Sequence, residues 1–242
     1  MIFIKRKNIF RRVIIVILVL LMSITGVFII WANDTYVSLE ILSGSDSIEV
    51  ENGDYIVFKP KEVEPTRGII FYPGAKVEPE AYVKLCSKIA QEGYLVIIAP
   101  MTLNFAIFSP NKAENIIDKY TNIENWTMSG HSLGGVMAAN YALKDSRVDS
   151  IIFYASYPQG NGLKDSNLKT LSIYASNDGI AKLERVKDAV LPEQSEIVTI
   201  QGGNHAGFGT YGEQTGDNKA DISNDEEINI ATEYAVKFLK SL

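Results

Sequence analysis

The 242-residue chain is 46% apolar and 21% charged, with 18 glycines and 8 prolines, which excludes collagen-like and broadly disordered classes and fits one domain with an appendage. Its net charge of −6 is uneven: five bases and no acid fall in residues 1–12, and the other 230 residues hold 18 bases against 29 acids, a net −11, which argues against nucleic acid as a partner. One cysteine, Cys86, and two histidines exclude an intrachain disulfide framework and a Cys-rich zinc site, and leave little material for a His-based metal centre.

Lys5, Arg6, Lys7, Arg11 and Arg12 make residues 1–12 a basic segment. Val13 to Trp31 then give 19 positions without a charge, about 28 Å of helix and about the hydrocarbon thickness of a bilayer. A cleaved signal peptide has a shorter apolar core, about 7 to 15 residues, and Ile30-Trp31-Ala32 offers no small-x-small cleavage pair. No cysteine follows the run for lipoprotein processing. Residues 13–31 therefore read as an uncleaved signal anchor, a single pass through the cell membrane. The positive-inside bias puts residues 1–12 in the cytoplasm and the body outside. A short linker, 32–36, leads into a domain over 37–242.

Within the body, Val37–Leu42 and Tyr55–Lys59 are expected to form an opening antiparallel pair, with Asn52-Gly53-Asp54 as turn chemistry. Gly68–Tyr72 reads as a buried strand and Glu80–Glu92 as a helix, with Tyr82, Cys86, Ile89 and Gly93 at helical spacing. Tyr94–Ile98 is the next strand, and further strands follow at Trp126–Ser129, Val148–Ala155, Leu171–Ala175 and Ile197–Ile200. The last helix, about Asp225–Leu239, carries a capping-box pattern at Ser223 and Glu226 and acids in its first turn. This alternation predicts an α/β fold, with a mostly parallel central sheet and helices on both faces. The interval Ser156–Asn167 is too short for a helical lid, so no large cap domain is expected.

Gly130-His131-Ser132-Leu133-Gly134 is G-x-S-x-G, directly after one strand and before the helical run Val136–Leu143. A sharp strand-to-helix turn there would hold Ser132 in a strained conformation above the sheet, with glycines giving room for close backbone approach. Amides at the start of the helix, from Leu133, would face negative charge developing beside the serine. A serine nucleophile needs a base. His131, the serine's immediate neighbour, should point away from it, which leaves His205, in Gly202-Gly203-Asn204-His205-Ala206-Gly207 just past a strand, at the sheet end where α/β folds place ligands. The carboxylate that orients the imidazole is assigned to Asp178, in Ser176-Asn177-Asp178-Gly179, also just past a strand. Asp165, Asp188 and Asp217 are weaker rivals because none closes a strand.

The segments FYPGAKVEPEAY (71–82), GHSLGG (130–135), SNDG (176–179) and GGNHAGFGTYGEQTGD (202–217) together resemble the α/β-hydrolase superfamily. They are similar in particular to its compact family-5 branch, related to dienelactone hydrolases and found in bacteria as membrane-tethered or secreted proteins. The resemblance spans roughly Gly68 to Leu242. It implies Ser132 as nucleophile, Asp178 as acid and His205 as base. It also implies an oxyanion hole from the backbone N–H of Leu133 and one from the loop after Phe71-Tyr72, Ala75 first and Gly74 second. Dienelactone hydrolases proper use a cysteine where this chain has Ser132, so their own substrate is not carried over.

The resulting expectation is a membrane-anchored serine hydrolase that cleaves a small carboxylic ester or related acyl substrate through an acyl-enzyme, with no metal or organic cofactor. The same triad would serve an acyltransferase. A catalytically silent hydrolase fold acting as a binding module is the alternative from another class. Phe208 and Tyr211, in the glycine-rich stretch after His205, are candidate pocket-wall residues.

Overall fold

The computed structural model describes residues 2–42, 44–181 and 183–242, and the chain divides into Met1–Thr35 and Tyr36–Leu242. The first unit is helix α1, Ile2–Asn33. Its segment Phe10–Asn33 has a mean hydropathy of 3.2 over its most apolar window and is long and apolar enough to cross a membrane. Two polar side chains of this segment bond to the helix's own carbonyls: Ser23 Oγ donates to Val19 O (2.9 Å) and Asn33 Nδ2 to Ile29 O (2.9 Å). Such back-bonding lets polar groups sit in an apolar surround without unsatisfied hydrogens.

The second unit is built on an eight-stranded sheet. Its strands are β1 (Ile48–Asn52), β2 (Ile56–Pro60), β3 (Arg67–Tyr72), β4 (Leu95–Ile98), β5 (Asn125–His131), β6 (Val148–Tyr154), β7 (Lys169–Ala175) and β8 (Glu196–Ile200). They lie in the order β1-β2-β4-β3-β5-β6-β7-β8. β1 and β2, and β2 and β4, pair antiparallel, and every other pair is parallel. Helices α2 (Val83–Ala90), α3 (Lys112–Lys119), α4 (Leu133–Ala142), α5 (Leu183–Lys187) and α6 (Asn224–Leu239) complete the domain. Ser223 caps α6, its Oγ accepting the Glu226 N–H at 3.2 Å.

Both faces of the sheet are covered, which is why strands such as Leu95–Ile98 are apolar at every position. Phe58, Phe71, Val96 and Ile152 pack with Leu85, Cys86 and Ile89 of α2 and with Ile228, Ala231 and Ala235 of α6. Their alternate neighbours Val57, Ile70, Ile97 and Ile151 belong to the opposite layer, with α3 and α4. The chain runs from β3 to β4 on one side and returns to β5 on the other side of β3. The carboxyl ends of β3 and β5 therefore border a switch point, where loops diverge and leave a crevice.

The opening pair differs from the expected one. Val37–Leu42 forms no strand; Val37, Leu39 and Ile41 are exposed, and Ile48–Asn52 pairs with Ile56–Pro60 instead. A tight turn pairs the residues that flank it directly, and here Asn52 stands opposite Ile56. The segment at Tyr36 has another role: its N–H donates to Lys76 O (2.7 Å), its carbonyl accepts from Glu78 N–H (3.1 Å), and Leu39 N–H donates to Thr210 O (2.7 Å). Helix α3 was not anticipated, although Ala113, Ile116 and Ile117 stand at helical spacing and are buried. Between β6 and β7 the described residues form no helix or strand, so the sheet has no large cap there.

Gly68 in β3 faces the wholly buried Trp126 of β5; a Cβ on residue 68 would stand 2.3 Å from the indole. Gly68→Ala should therefore overpack this layer and cost about 1–3 kcal/mol, with red-shifted Trp126 emission as the indole moves. An unchanged denaturation midpoint would contradict this.

Candidate active site

β5 runs into Ser132, whose backbone sits at φ 51°, ψ −126°, a region costing a non-glycine residue of order 1–3 kcal/mol. Four hydrogen bonds hold it there. Ser132 N–H donates to Tyr154 O (3.0 Å), and Ser132 O accepts from Ser156 Oγ (2.7 Å) as well as from the N–H groups of Gly135 (3.1 Å) and Val136 (3.4 Å). α4 starts at once with Leu133, crossing the end of β3 so closely that a Cβ on Gly134 would stand 2.1 Å from Tyr72 O. The glycine two places after the serine is thus a packing requirement. Leu133, as the first residue of α4, has an N–H without an intrahelical acceptor.

His205 and Asp178 meet from the ends of β8 and β7. His205 Nδ1 and Asp178 Oδ2 are 2.8 Å apart, with side chains 1% and 0% exposed. The other carboxylate oxygen, Oδ1, accepts the N–H groups of Ile180 (2.8 Å) and Ala181 (2.7 Å). Against an acceptor-only carboxylate, Nδ1 must carry the hydrogen, so in the neutral tautomer Nε2 is the nitrogen with the lone pair. Nε2 is buried and has no hydrogen-bond partner among the described residues. A buried acceptor left open in this way is the position a general base presents to an incoming proton.

His131 is wholly buried, and both of its ring nitrogens have partners. Its Nε2 lies 3.0 Å from His205 O and its Nδ1 2.8 Å from Tyr82 Oη, which accepts the Gly74 N–H at 3.0 Å. The carbonyl requires a donor at Nε2, so Nδ1 accepts from Tyr82. Burial pushes the His131 pKa well below the usual histidine range, and the neighbouring His205 pushes it further. Gly74 N–H is thereby engaged, whereas Ala75 N–H has no partner among the described residues. Of the two amides considered for the loop after β3, the free one is that of Ala75.

Phe208 and Tyr211 are corrected as open pocket wall. Both are buried: Phe208 packs on His131 and Tyr154, and Tyr211 on Tyr36 and Tyr82. The aromatic character that suggested a wall is spent under the site. A cavity of about 610 Å³ has Asn204, Ala206, Gly207, Asp217, Asn224 and Glu227 on its wall, but neither Ser132 nor His205. No three His, Cys, Asp or Glu side chains gather as a metal site among the described residues.

Glu227 of α6 escaped the sequence analysis. It is 0% exposed, its Oε2 accepts the Asn204 N–H (3.0 Å), and its Oε1 has no hydrogen-bond partner among the described residues. Gly203 and Gly207 make room for it; a Cβ on Gly207 would stand 1.8 Å from Oε2. Burial pushes the Glu227 pKa up to about 8, with Asp217 and Asp178 adding to the rise and the Asn204 N–H opposing it.

Below about pH 4.5 this carboxyl is protonated both folded and unfolded. As pH rises the unfolded chain ionises first, so the folded state loses stability until about pH 8, where the loss levels off. Glu227→Gln lacks this penalty. Its stability relative to the parent chain should rise by on the order of 3 kcal/mol between pH 5 and pH 8, read from denaturant melts at both. A pH-independent difference would contradict the buried neutral acid.

The model of the alpha/beta hydrolase family matches residues 68–229, two thirds of the chain, so the chain belongs to that family. No curated protein matches. Among solved structures it is similar to the esterase domain of a Rhodothermus marinus protein (TM-score 0.60, 11% identity, covering 77% of this chain and 92% of that one). It is also similar to a protein from Thermoplasma acidophilum described as a CIB-like hydrolase (TM-score 0.56, 18% identity, 81% and 99% covered). A protein from Klebsiella pneumoniae described as a dienelactone hydrolase shares the fold as well (TM-score 0.57, 14% identity, 78% and 92% covered). At these identities the likeness concerns the fold.

Proposed function

We propose that this alpha/beta hydrolase is a serine hydrolase that cleaves a small carboxylic ester or related acyl substrate, anchored to the cell membrane by residues 13–31 with its body outside the cytoplasm. The observation that carries the chemistry is the buried His205–Asp178 pair with an open Nε2, in a chain whose serine sits at a strained strand-to-helix turn.

In this reading Ser132 Oγ attacks the acyl carbon while its proton passes to His205 Nε2, and Asp178 Oδ2 holds the Nδ1–H and stabilises the imidazolium. The carbonyl oxygen, now negative, is held by the N–H groups of Leu133 and Ala75. Collapse of the tetrahedral intermediate returns the proton from Nε2 to the departing alkoxide, which leaves as alcohol. Water then adds to the acyl-enzyme, giving one proton to Nε2, and the acid departs as Ser132 recovers that proton. The lack of a cap over the sheet supports a slim or short acyl group, because each further methylene gains little without a wall to bury it.

The test is a panel of esters of graded chain length with the full-length chain and Ser132→Ala. Turnover should peak at acetyl to hexanoyl esters, and Ser132→Ala should lose both turnover and covalent labelling by a phosphonate probe with its melting temperature kept. Asp178→Asn should lower turnover on the order of 10⁴-fold. Stoichiometric labelling of Ser132→Ala would overturn the nucleophile, and a maximum at dodecanoyl or longer the small substrate.

Anchoring is supported by the apolar length of Phe10–Asn33 behind a basic segment. Protease added to intact cells or spheroplasts should release a fragment beginning near Thr35. Protection until the membrane is permeabilised would reverse the topology.

A further inference from the structure

We propose that Asp217 is a positioning residue that keeps the Asp178–His205 pair in register, an inference that rests on the triad reading above. The two loops that carry the pair are joined on the strand side by backbone bonds, Ser176 N–H to Ile200 O (2.9 Å) and Asn177 N–H to Gly203 O (2.9 Å). Past Asp178 and His205 the chain leads away, one loop towards α5 and the other into a short 3-10 turn at Ala206–Phe208. There a single carboxylate bridges them. Asp217 Oδ1 accepts the N–H of Gly179, the residue after Asp178, at 2.8 Å; Asp217 Oδ2 accepts the N–H of Ala206, the residue after His205, at 2.9 Å.

The brace is itself held. Asn218 N–H also donates to Oδ1 (2.9 Å), Asp217 N–H donates to Gln214 O (3.0 Å), and Asn204 Nδ2 donates to Asn218 O (2.6 Å). Gly179 lies so close to this turn that a Cβ there would stand 2.8 Å from Asn218 N and 2.9 Å from Gly216 O. The glycine after the catalytic acid is accordingly what admits the brace.

Asp217 does not reach the imidazole; it fixes the backbone on either side of it. With the brace gone the two loops lose the carboxylate they share beyond the pair, and a misplacement of about 1 Å at a reacting group costs on the order of 10²-fold. Asp217→Asn keeps the shape and one acceptor oxygen but turns an NH₂ toward one of the two N–H groups, which opens one side of the bridge.

The experiment measures ester turnover and phosphonate labelling for the full-length chain in detergent micelles, as Asp217→Asn, Asp178→Asn and the double variant. Asp217→Asn should lower kcat about 10- to 100-fold with KM within about threefold. The acid limb of its pH profile should move to lower pH as the pair loosens. Acting through the pair, it should cost less than about threefold more in the Asp178→Asn background. Gly179→Ala, which displaces the brace with Asp217 present, should repeat the kcat loss and carries the test if Asp217→Asn does not fold. Losses that multiply in the double variant, or wild-type kcat in Asp217→Asn or Gly179→Ala beside a crippled Asp178→Asn, overturn the brace. An Asp178→Asn enzyme within about tenfold of wild type overturns the triad reading, and the brace with it.

Discussion

The bond between His205 and Asp178 is the constraint around which the carboxyl end of the sheet is arranged. Neither residue lies in a strand, so their meeting depends on the register of β7 on β8, which sets Ala175 opposite Ile200. Asp178 follows three residues after the one and His205 five after the other. A slip of that register would part them, and the sheet resists a slip because it would move every side chain of β8 to the wrong face. The polar bond is thus specified by apolar packing of the layer that holds Leu171, Ile173 and Ile200.

Two further acids stand behind the same loop and are treated in opposite ways. Asp217 receives three N–H groups, enough to replace much of the water a carboxylate gives up. Glu227 receives one, from Asn204, and is held as a neutral acid by its surroundings. A charge on Glu227 as well, beside Asp178 and Asp217, would add repulsion to desolvation. The His205 loop is in this way clamped by two carboxyls from different elements, one with three N–H partners and one with a single N–H partner.

Where the candidate site is built by local chain geometry, its layout was legible in the sequence. The glycines around Ser132 mark a turn that brings backbones together, and the strand-end positions of Asp178 and His205 follow from apolar runs that stop just before them. The parallel sheet was visible for the same reason, since strands covered on both faces have no polar alternation. What escaped reading depends on partners distant in the chain. Nothing near Ser132 announces that Ser156 will hold its carbonyl, nor near Gly74 that Tyr82 will take its N–H. Phe208 was misjudged because an aromatic in a glycine-rich stretch looks the same whether it lines a cleft or fills a core. The first strand was misplaced because Val37, Leu39 and Ile41 alternate as a strand would, while Tyr36 is bound to the loop after β3 instead.

The chain of bonds from Gly74 through Tyr82 and His131 to the His205 carbonyl has a direction. Each hydrogen points one way, from the loop after β3 toward the loop after β8, and the last link needs His131 to donate from Nε2 and accept at Nδ1. A second proton on His131 would make Nδ1 a donor as well. The Tyr82 hydroxyl would then have to accept from both Gly74 and His131, leaving its own hydrogen without a partner in a buried place. The network therefore admits His131 in one neutral form only. Of two histidines less than 5 Å apart, ring centre to ring centre, only His205 keeps a ring nitrogen open, and His131 works as a wire of fixed polarity between the loop after β3 and the loop after β8.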